Sequence, residues 1–345
     1  MVTREISPSE KNLWDTFVKT SPAPHIVQGW YWGEFKSSFG TPATRIAVFQ
    51  DDKIVASCQY TLHKIPFSQK YVAYSPKGPV CPEKKYLPNI ISGIKKRAFS
   101  ENCVFVRIEP NVPESTSDWL KVLFEEGLLK SPRNIFAPFT LILDLTKEDT
   151  EILSLMREKW RYNIKLATRK GVVVREGEKK DLDYFLALQK MTADRAKFFV
   201  HPDAYYHKLW EILKPQGQVY LLSAFIPNLP KPIASWLLFK YGDTLYYPYG
   251  GSDYEYRSFM GSHALMWAAV KLGKSLGCRQ FDLWGATDSS NQTDPWFGFT
   301  RFKEGFGPKK VSFLGTFDLV LDPLYYKLFN WADKLRWLAL RTLRF

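Results

Sequence analysis

Tyr246-Tyr-Pro-Tyr-Gly-Gly-Ser252, Phe281-Asp-Leu-Trp-Gly285 and Phe302-Lys-Glu-Gly-Phe-Gly307 concentrate polar and aromatic side chains within 62 positions of this 345-residue chain. They read as a tyrosine-rich strand, a glycine turn, a second strand, and a Phe-Lys pair held by glycines. Familiar nucleophilic and metal chemistries find no support beside them. There is no G-x-S-x-G elbow, no Walker A loop and no H-E-x-x-H. The five histidines are scattered, which argues against a His-activated nucleophile. Cys58, Cys81, Cys103 and Cys278 lack CxxC spacing and neighbouring histidines. They read as reduced, buried thiols, with neither a zinc site nor a disulfide framework. No metal and no cofactor is expected.

Charge is the strongest compositional pointer to partners. The 48 Lys and Arg residues exceed the 35 Asp and Glu residues, for a formal net charge of +13. Such an excess attracts nucleic acid, anionic lipid or phosphorylated substrates, without implying that a sequence is read. A helix is expected over Glu151 to Lys170, with Ile152, Leu155, Met156 and Trp160 on its apolar side. Arg157, Arg161, Lys165 and Arg169 fall four apart and form a slowly drifting basic stripe. That stripe is either a solvated face or a surface for a polyanion.

The elements that must position these groups come in two similar sets. The length suits two domains of roughly 150 residues each. A 45% apolar composition supports a buried core throughout. Ala43–Phe49 and Lys53–His63 flank Gln50-Asp51-Asp52 as a hairpin. Val219–Phe225 and Ile233–Lys240 form another, and Gly242-Asp243 turns into Thr244–Tyr249. Each hairpin precedes a Gly/Pro break, a helix and a further strand. In the first half these are Tyr71-Val-Ala-Tyr-Ser-Pro-Lys-Gly-Pro-Val80 and Val104-Phe-Val-Arg-Ile-Glu-Pro110. In the second, Leu265, Met266, Ala269, Val270, Leu272 and Leu276 recur at helical spacing.

That order matches the N-acetyltransferase-like (GNAT) fold, so the expected class is α/β with two tandem GNAT-like domains. Residues 1–148, completed by 316–345, make the first domain, and residues 149–315 the second. A GNAT unit using acetyl-CoA would carry Q/R-x-x-G-x-G/A at the helix after its central strands. Gly250–Ser262 and Pro79-Val-Cys-Pro-Glu83 do not fit that spacing. What remains is a fold suited to acyl transfer to an amine, with no CoA site and a basic surface.

Six motifs in order resemble the FemABX family of peptidoglycan-bridge aminoacyltransferases. They are Val27-Gln-Gly-Trp-Tyr-Trp-Gly-Glu-Phe-Lys36, Tyr74-Ser-Pro-Lys-Gly-Pro-Val80, Arg161-Tyr-Asn-Ile-Lys-Leu-Ala167 with Lys170-Gly171-Val172, Tyr249-Gly-Gly-Ser252, Asp282-Leu-Trp-Gly285 and Phe302-Lys303. The resemblance implies transfer of an amino acid from aminoacyl-tRNA to the stem-peptide amine of UDP-linked muropeptide or lipid II. It places Lys36 on the precursor diphosphate, a task for a compact cation, and Tyr205 and Tyr249 in the same acceptor pocket. His201 stands where the family often has arginine, so a phosphate contact there would be weaker or pH-dependent. Glu109 occupies a carboxylate position near the acceptor amine, as a candidate proton acceptor. Val104 replaces an aromatic residue found in a well-known member. Phe302 and Lys303 match the pair that receives the 3′ end of the charged tRNA. Lys303 would stabilise the oxyanion or the departing ribose oxygen, and the stripe from Arg157 to Arg169 would contact tRNA. Some members carry a coiled-coil arm; only a short helix fits between Tyr205 and Val219, which matches the arm-less type.

No secretory signal is expected from the mixed charges of the first ten residues, and no apolar run approaches the ~18 residues of a bilayer span. A cytoplasmic monomer is expected, with peripheral contact at the inner membrane face. At the C-terminus Tyr325, Leu328, Phe329, Ala332, Leu335 and Ala339 form an apolar stripe, with Lys327, Lys334 and Arg341 seven apart. This helix either docks on the first domain or lies on an anionic membrane with Trp337 and Phe345 at the interface. Two other readings fit the fold: an N-acyltransferase acting on a different amine, and a non-catalytic tRNA- or membrane-binding module.

Overall fold

The computed structural model describes residues 1–116, 118–288, 294 and 296–342, with side chains through residue 336. The first half contributes strands β1 (Val2–Glu5), β2 (Ala43–Gln50), β3 (Lys53–Lys64), β4 (Tyr71–Lys77), β5 (Cys103–Pro110), β6 (Leu129–Lys130) and β7 (Phe139–Asp144). The rest are β8 (Val173–Gly177), β9 (Val219–Phe225), β10 (Ala234–Tyr241), β11 (Thr244–Ser252), β12 (Gln280–Ala286), β13 (Lys309–Ser312) and β14 (Phe317–Val320). Helices α1 (Lys11–Thr20), α2 (Trp30–Ser37), α3 (Leu87–Ser100), α4 (Asp118–Glu125), α5 (Asp149–Leu155) and α6 (Glu158–Arg169) alternate with them. They continue as α7 (Leu182–Ala196), α8 (Asp203–Leu213), α9 (Gly261–Ser275), α10 (Phe297–Glu304) and α11 (Pro323–Thr342).

Two compact units result. Met1–Ala23, Val27–Phe136 and the segment from Leu314 form one, and Pro24–Ile26 with Ala137–Phe313 form the other. Among the described residues each unit holds a seven-stranded sheet, ordered β1-β2-β3-β4-β5-β14-β6 in the first and β13-β7-β12-β11-β10-β9-β8 in the second. The repeat seen in the sequence is real. In the first unit β2, β3 and β4 are antiparallel, then α3 crosses over to β5, parallel to β4. In the second β9, β10 and β11 are antiparallel, then α9 crosses over to β12, parallel to β11. The first hairpin turns on Asp51 and Asp52, both left-handed at φ 48° and 59°, the geometry that matches strand twist in a two-residue turn.

Strand β5 is buried along its whole length because both of its faces are covered. Such strands read as continuous apolar runs. Ile90, Ile91 and Ile94 of α3 share one core with Val106 and Ile108. Phe105 points the other way and meets Tyr326 and Phe329 of α11 at 5.1 and 5.2 Å. Val104 is fully buried beside it, so a larger aromatic ring there would compete with α11 for space. A buried charged pair inside this layer is bidentate. Arg107 Nε and Nη2 donate to Asp318 of β14 at 2.7 and 2.8 Å, and Tyr326 Oη donates to the same carboxylate at 2.9 Å. In the second unit Leu265, Met266, Ala269 and Val270 of α9 pack with Leu245 and Phe281.

Three expectations change. The division between units lies at 136/137 rather than 148/149, because β7 pairs with β12 and β13. The helix expected over Glu151–Lys170 is two helices, α5 and α6. Met156 and Arg157 between them are extended, and the Arg157 N–H donates to the Gly305 carbonyl at 2.9 Å. Helix α11 uses Tyr326 and Phe329 for packing, whereas Tyr325, Leu328 and Leu335 face outward. The side chains of Trp337, Ala339 and Arg341, and all of Phe345, lie outside the described residues. Between Pro202 and β9 only α8 and the short turn Lys214–Gln216 occur, so no arm is inserted there.

Removing one partner of a buried ion pair strands the other charge, at a cost of about 3–5 kcal/mol. Asp318→Ala should lower unfolding stability by that amount in urea titration. A loss below about 1 kcal/mol would contradict the role given to the Arg107–Asp318 pair.

Candidate active site

A bulge in β12 builds the centre of the second unit. The register against β7 shifts between Asp282 and Gly285. Trp284, at the bulge, adopts φ 63°, a left-handed conformation that bulky residues occupy only when their surroundings enforce it. Two bonds do so. Asp282 Oδ1 accepts the Trp284 N–H at 2.7 Å, and it also accepts the hydroxyl of Thr140 from β7. Three rings then surround the indole, His25 at 5.1 Å, Tyr246 at 5.9 Å and Phe239 at 6.4 Å. Just past the bulge, the Gly285 carbonyl accepts a hydrogen bond from Lys303 Nζ of α10 at 2.8 Å.

Lys303 is the chemically distinctive group. It is buried, and its ammonium lies 5.8 Å from the centre of the Tyr247 ring. Burial pulls its pKa down to about 8, with the charge of Asp282 opposing the fall. A lysine so placed exchanges its proton near neutrality, unlike a solvated one. Phe302 is mostly packing. Its ring meets His263 at 5.3 Å, Phe306 at 5.1 Å and Trp236 at 6.5 Å, and Trp236 stacks on Tyr247 at 3.8 Å. His263 is held neutral, its pKa lowered to about 4 by burial and then by Lys159.

A second constellation in this unit gathers three of the residues expected at the acceptor pocket. Exposed His201 stacks on buried Tyr205 with ring centres 3.8 Å apart. Tyr205 and Tyr249 share a hydroxyl hydrogen bond of 3.2 Å. Tyr206, which sequence reasoning passed over, meets Tyr249 edge-on at 5.2 Å. Burial raises the pKa of both Tyr205 and Tyr249, so these phenols stay neutral and offer hydrogen bonds rather than charge.

The first unit carries the other two. Lys36, at the end of α2, is half-buried, and burial lowers its pKa. Glu109 ends β5, and its oxygens are taken. Oε1 accepts the Ile135 and Phe136 N–H groups at 2.9 Å each and the Thr316 hydroxyl at 2.6 Å, and Oε2 accepts Tyr74 Oη. A carboxylate with both oxygens engaged in this way holds the loop at Ile135 and Phe136 in place. The expectation that Glu109 takes the amine proton is therefore not supported by its geometry.

The basic stripe is uneven for the same kind of reason. Arg157 precedes α6, and its guanidinium lies 5.7 Å over Trp160. Arg161 is spent on structure, donating to the Ser154 carbonyl at 3.3 Å and to that of Met156 at the end of α5. Lys165 and Arg169 are exposed, with Arg169 5.3 Å over Tyr162. Of the groups that matter most here, Asp282 and Trp284 lay in a motif already singled out. Thr140 and His25 carried no local signal, because they reach the bulge from positions far along the chain.

Among the described residues no group of three or more His, Cys, Asp or Glu is arranged to hold a metal. Two sheets, each with an antiparallel hairpin joined by a helix to a parallel strand, define a tandem GNAT-like protein. The chain belongs to the FemAB family, whose model matches residues 9–128, 128–228 and 227–334. It is 24% identical to the lipid II:glycine glycyltransferase of Staphylococcus saprophyticus, over 93% of this chain and 94% of the relative. The protein of the same name from Staphylococcus aureus strain MRSA252 is also 24% identical, over 91% and 92%. A crystal structure of FemX superposes with a TM-score of 0.88 at 22% identity, covering 95% of this chain and 99% of the other. A tandem GNAT protein from the clavulanic acid pathway gives 0.56 at 11% identity, covering 92% and 98%.

The sign of the Lys303 effect is testable on stability alone. Its folded pKa of about 8 lies below the ordinary 10.5, so the buried ammonium costs on the order of 3 kcal/mol below pH 8. That cost is relieved as the pH rises from 8 to 10.5. Lys303→Met should therefore be at least as stable as the parent at pH 7, with its advantage shrinking above pH 8 in thermal melts. A variant less stable at pH 7 than at pH 10, relative to the parent, would refute the assignment.

Proposed function

We propose that this protein is an aminoacyltransferase that moves an amino acid from aminoacyl-tRNA to the stem-peptide amine of a peptidoglycan precursor, forming the interpeptide bridge. The observation that carries the reading is the buried ammonium of Lys303, held beside the β12 bulge in a family whose relatives include lipid II:glycine glycyltransferases. The neutral amine attacks the ester carbonyl, a C–N bond forms, and the carbonyl electron pair moves to oxygen. The ester C–O bond then breaks, leaving an amide and free tRNA. Lys303 stabilises the oxyanion, donates its proton to the departing ribose oxygen, and regains one from the new ammonium. A pKa near 8 suits both halves of that exchange. Amide formation from an activated ester is downhill, so positioning and charge stabilisation supply most of the catalysis.

Lys36 would hold the precursor diphosphate, and His201, Tyr205 and Tyr249 would line the muropeptide site. Phe302 would sit against the 3′ end of the tRNA, while Arg157, Lys165 and Arg169 meet its phosphates. Arg161 is assigned to the fold. One protomer carries every group the reaction needs, so a monomer suffices. A lipid-linked acceptor would be met at the inner face of the membrane, by peripheral contact.

The test is transfer from a pool of radiolabelled aminoacyl-tRNAs to UDP-linked muropeptide or lipid II. Label should reach one acceptor, and Lys303→Met should reduce the rate by about 10²–10³-fold, as loss of an oxyanion donor does. No label on either acceptor, with tRNA bound, would sink the peptidoglycan reading and favour another amine. Affinity for tRNA should fall steeply with added salt; a flat response would remove the electrostatic footprint.

A further inference from the structure

Among the described residues, helix α11 has two apolar faces, and only one of them packs against the first unit. Tyr326 and Phe329 turn inward onto Phe105. Asp333 lies on the same side and pairs with Arg133 at 3.3 Å. At ~100° per residue, Leu324, Leu328, Trp331 and Leu335 fall on the opposite side of the helix. All four are exposed, Leu324 by 67% and Trp331 by 65%. Exposed Lys327 and Lys334 border this stripe on one edge and Arg336 on the other. The acidic residues near the helix are held inward, Asp322 by Lys70 at 2.9 Å and Asp333 by Arg133. The outward surface is thus an apolar ridge between rows of cations. That is the pattern of a helix lying in the plane of an anionic interface.

A separate feature of the first unit points the same way. The turn between β3 and β4 ends in Phe67, which is fully exposed. Its backbone is left-handed at φ 59°, an unfavourable conformation for a bulky residue in a turn that nothing covers. Lys70, from that turn, binds Asp322 and lies 4.4 Å over the ring of Tyr325 at the start of α11. The turn carrying Phe67 is therefore tied to the N-terminal end of the apolar ridge. Among the described residues no helix is long and apolar enough to cross a membrane, so contact would be made from one side.

We propose that the outward face of α11, together with Phe67, is a docking surface for an anionic lipid bilayer, laying the first unit on the membrane. The inference deepens the proposed function and rests on it for its purpose, which is access to a lipid-linked acceptor. Its physical claim is independent of the chemistry. Isolated apolar side chains on a surface are ordinary. A ridge of four with a cationic border and a strained, exposed phenyl tied to one end is not.

Cosedimentation with phosphatidylcholine vesicles, with and without phosphatidylglycerol, tests it. The intact protein should partition onto the anionic vesicles and release with salt. L328E/W331E and, separately, K327E/K334E should each weaken that partition by about tenfold or more, with Phe67→Ser weakening it to a smaller extent. Circular dichroism checks that each variant is folded. Absent binding, or binding that none of the variants weakens, overturns the proposal. So does a concentration-dependent dimer in ultracentrifugation that L328E/W331E abolishes, which would give the face to a second copy. Transfer to lipid II in detergent separates the two readings. Transfer there without vesicle binding removes the docking surface and leaves the reaction standing. Vesicle binding without transfer to any acceptor does the reverse.

Discussion

An ammonium group buried among aromatic rings is the constraint on which the second unit turns. Left alone, Lys303 would either reach solvent or lose its proton, because a low-dielectric interior penalises the charge. The structure offsets that penalty with the Gly285 carbonyl, the negative charge of Asp282 and the face of Tyr247. Two of these, Asp282 and Gly285, flank the bulge in β12, and Tyr247 stands on neighbouring β11. Gly285 keeps its place opposite Thr140 of β7 just past the left-handed Trp284, and its carbonyl meets Lys303. The bulge is held by Thr140 and Asp282 beneath it and by His25, Tyr246 and Phe239 around the indole. Strain, burial and reactivity are one arrangement.

The two units use the same scaffold for different ends. In the first, the carboxylate at the end of β5 is saturated by donors and fixes the loop at Ile135 and Phe136. In the second, the residues around β12 leave a cation poised to exchange its proton. Duplication followed by specialisation of one copy would give this asymmetry, and it agrees with the denser polar-aromatic pattern of the second half. The first unit instead presents the half-buried Lys36 and the outward face of α11.

Much of this was legible in the sequence, and the reasons are local. The Asp51-Asp52 turn, the hairpins and the crossover helices α3 and α9 are each specified by neighbouring residues. The six motifs carried the family, and the Tyr205–Tyr249 contact joins two residues that the resemblance had placed in one pocket. What was not legible is non-local. Strand β7 is short and could join either sheet; its place is settled by its pairing with β12 far along the chain. The break between α5 and α6 depends on a bond from Arg157 to Gly305. Helical periodicity alone cannot see it. Arg161 looked like part of a binding stripe because spacing says nothing of the carbonyls at the end of α5, which it caps. Glu109 looked like a base because a carboxylate's partners are invisible until the chain is folded.

The central claim is that the protonated form of Lys303 drives the transfer, and the pH dependence of a single turnover tests it most directly. The attacking amine, with an ordinary pKa of about 10.4, makes the rate rise as the pH increases. If Lys303 must be protonated, that rise should bend to a plateau near pH 8. In Lys303→Met the residual rate should continue upward without the bend. A parent profile that rises unbroken through pH 9, or a bend that survives in Lys303→Met, would contradict the account.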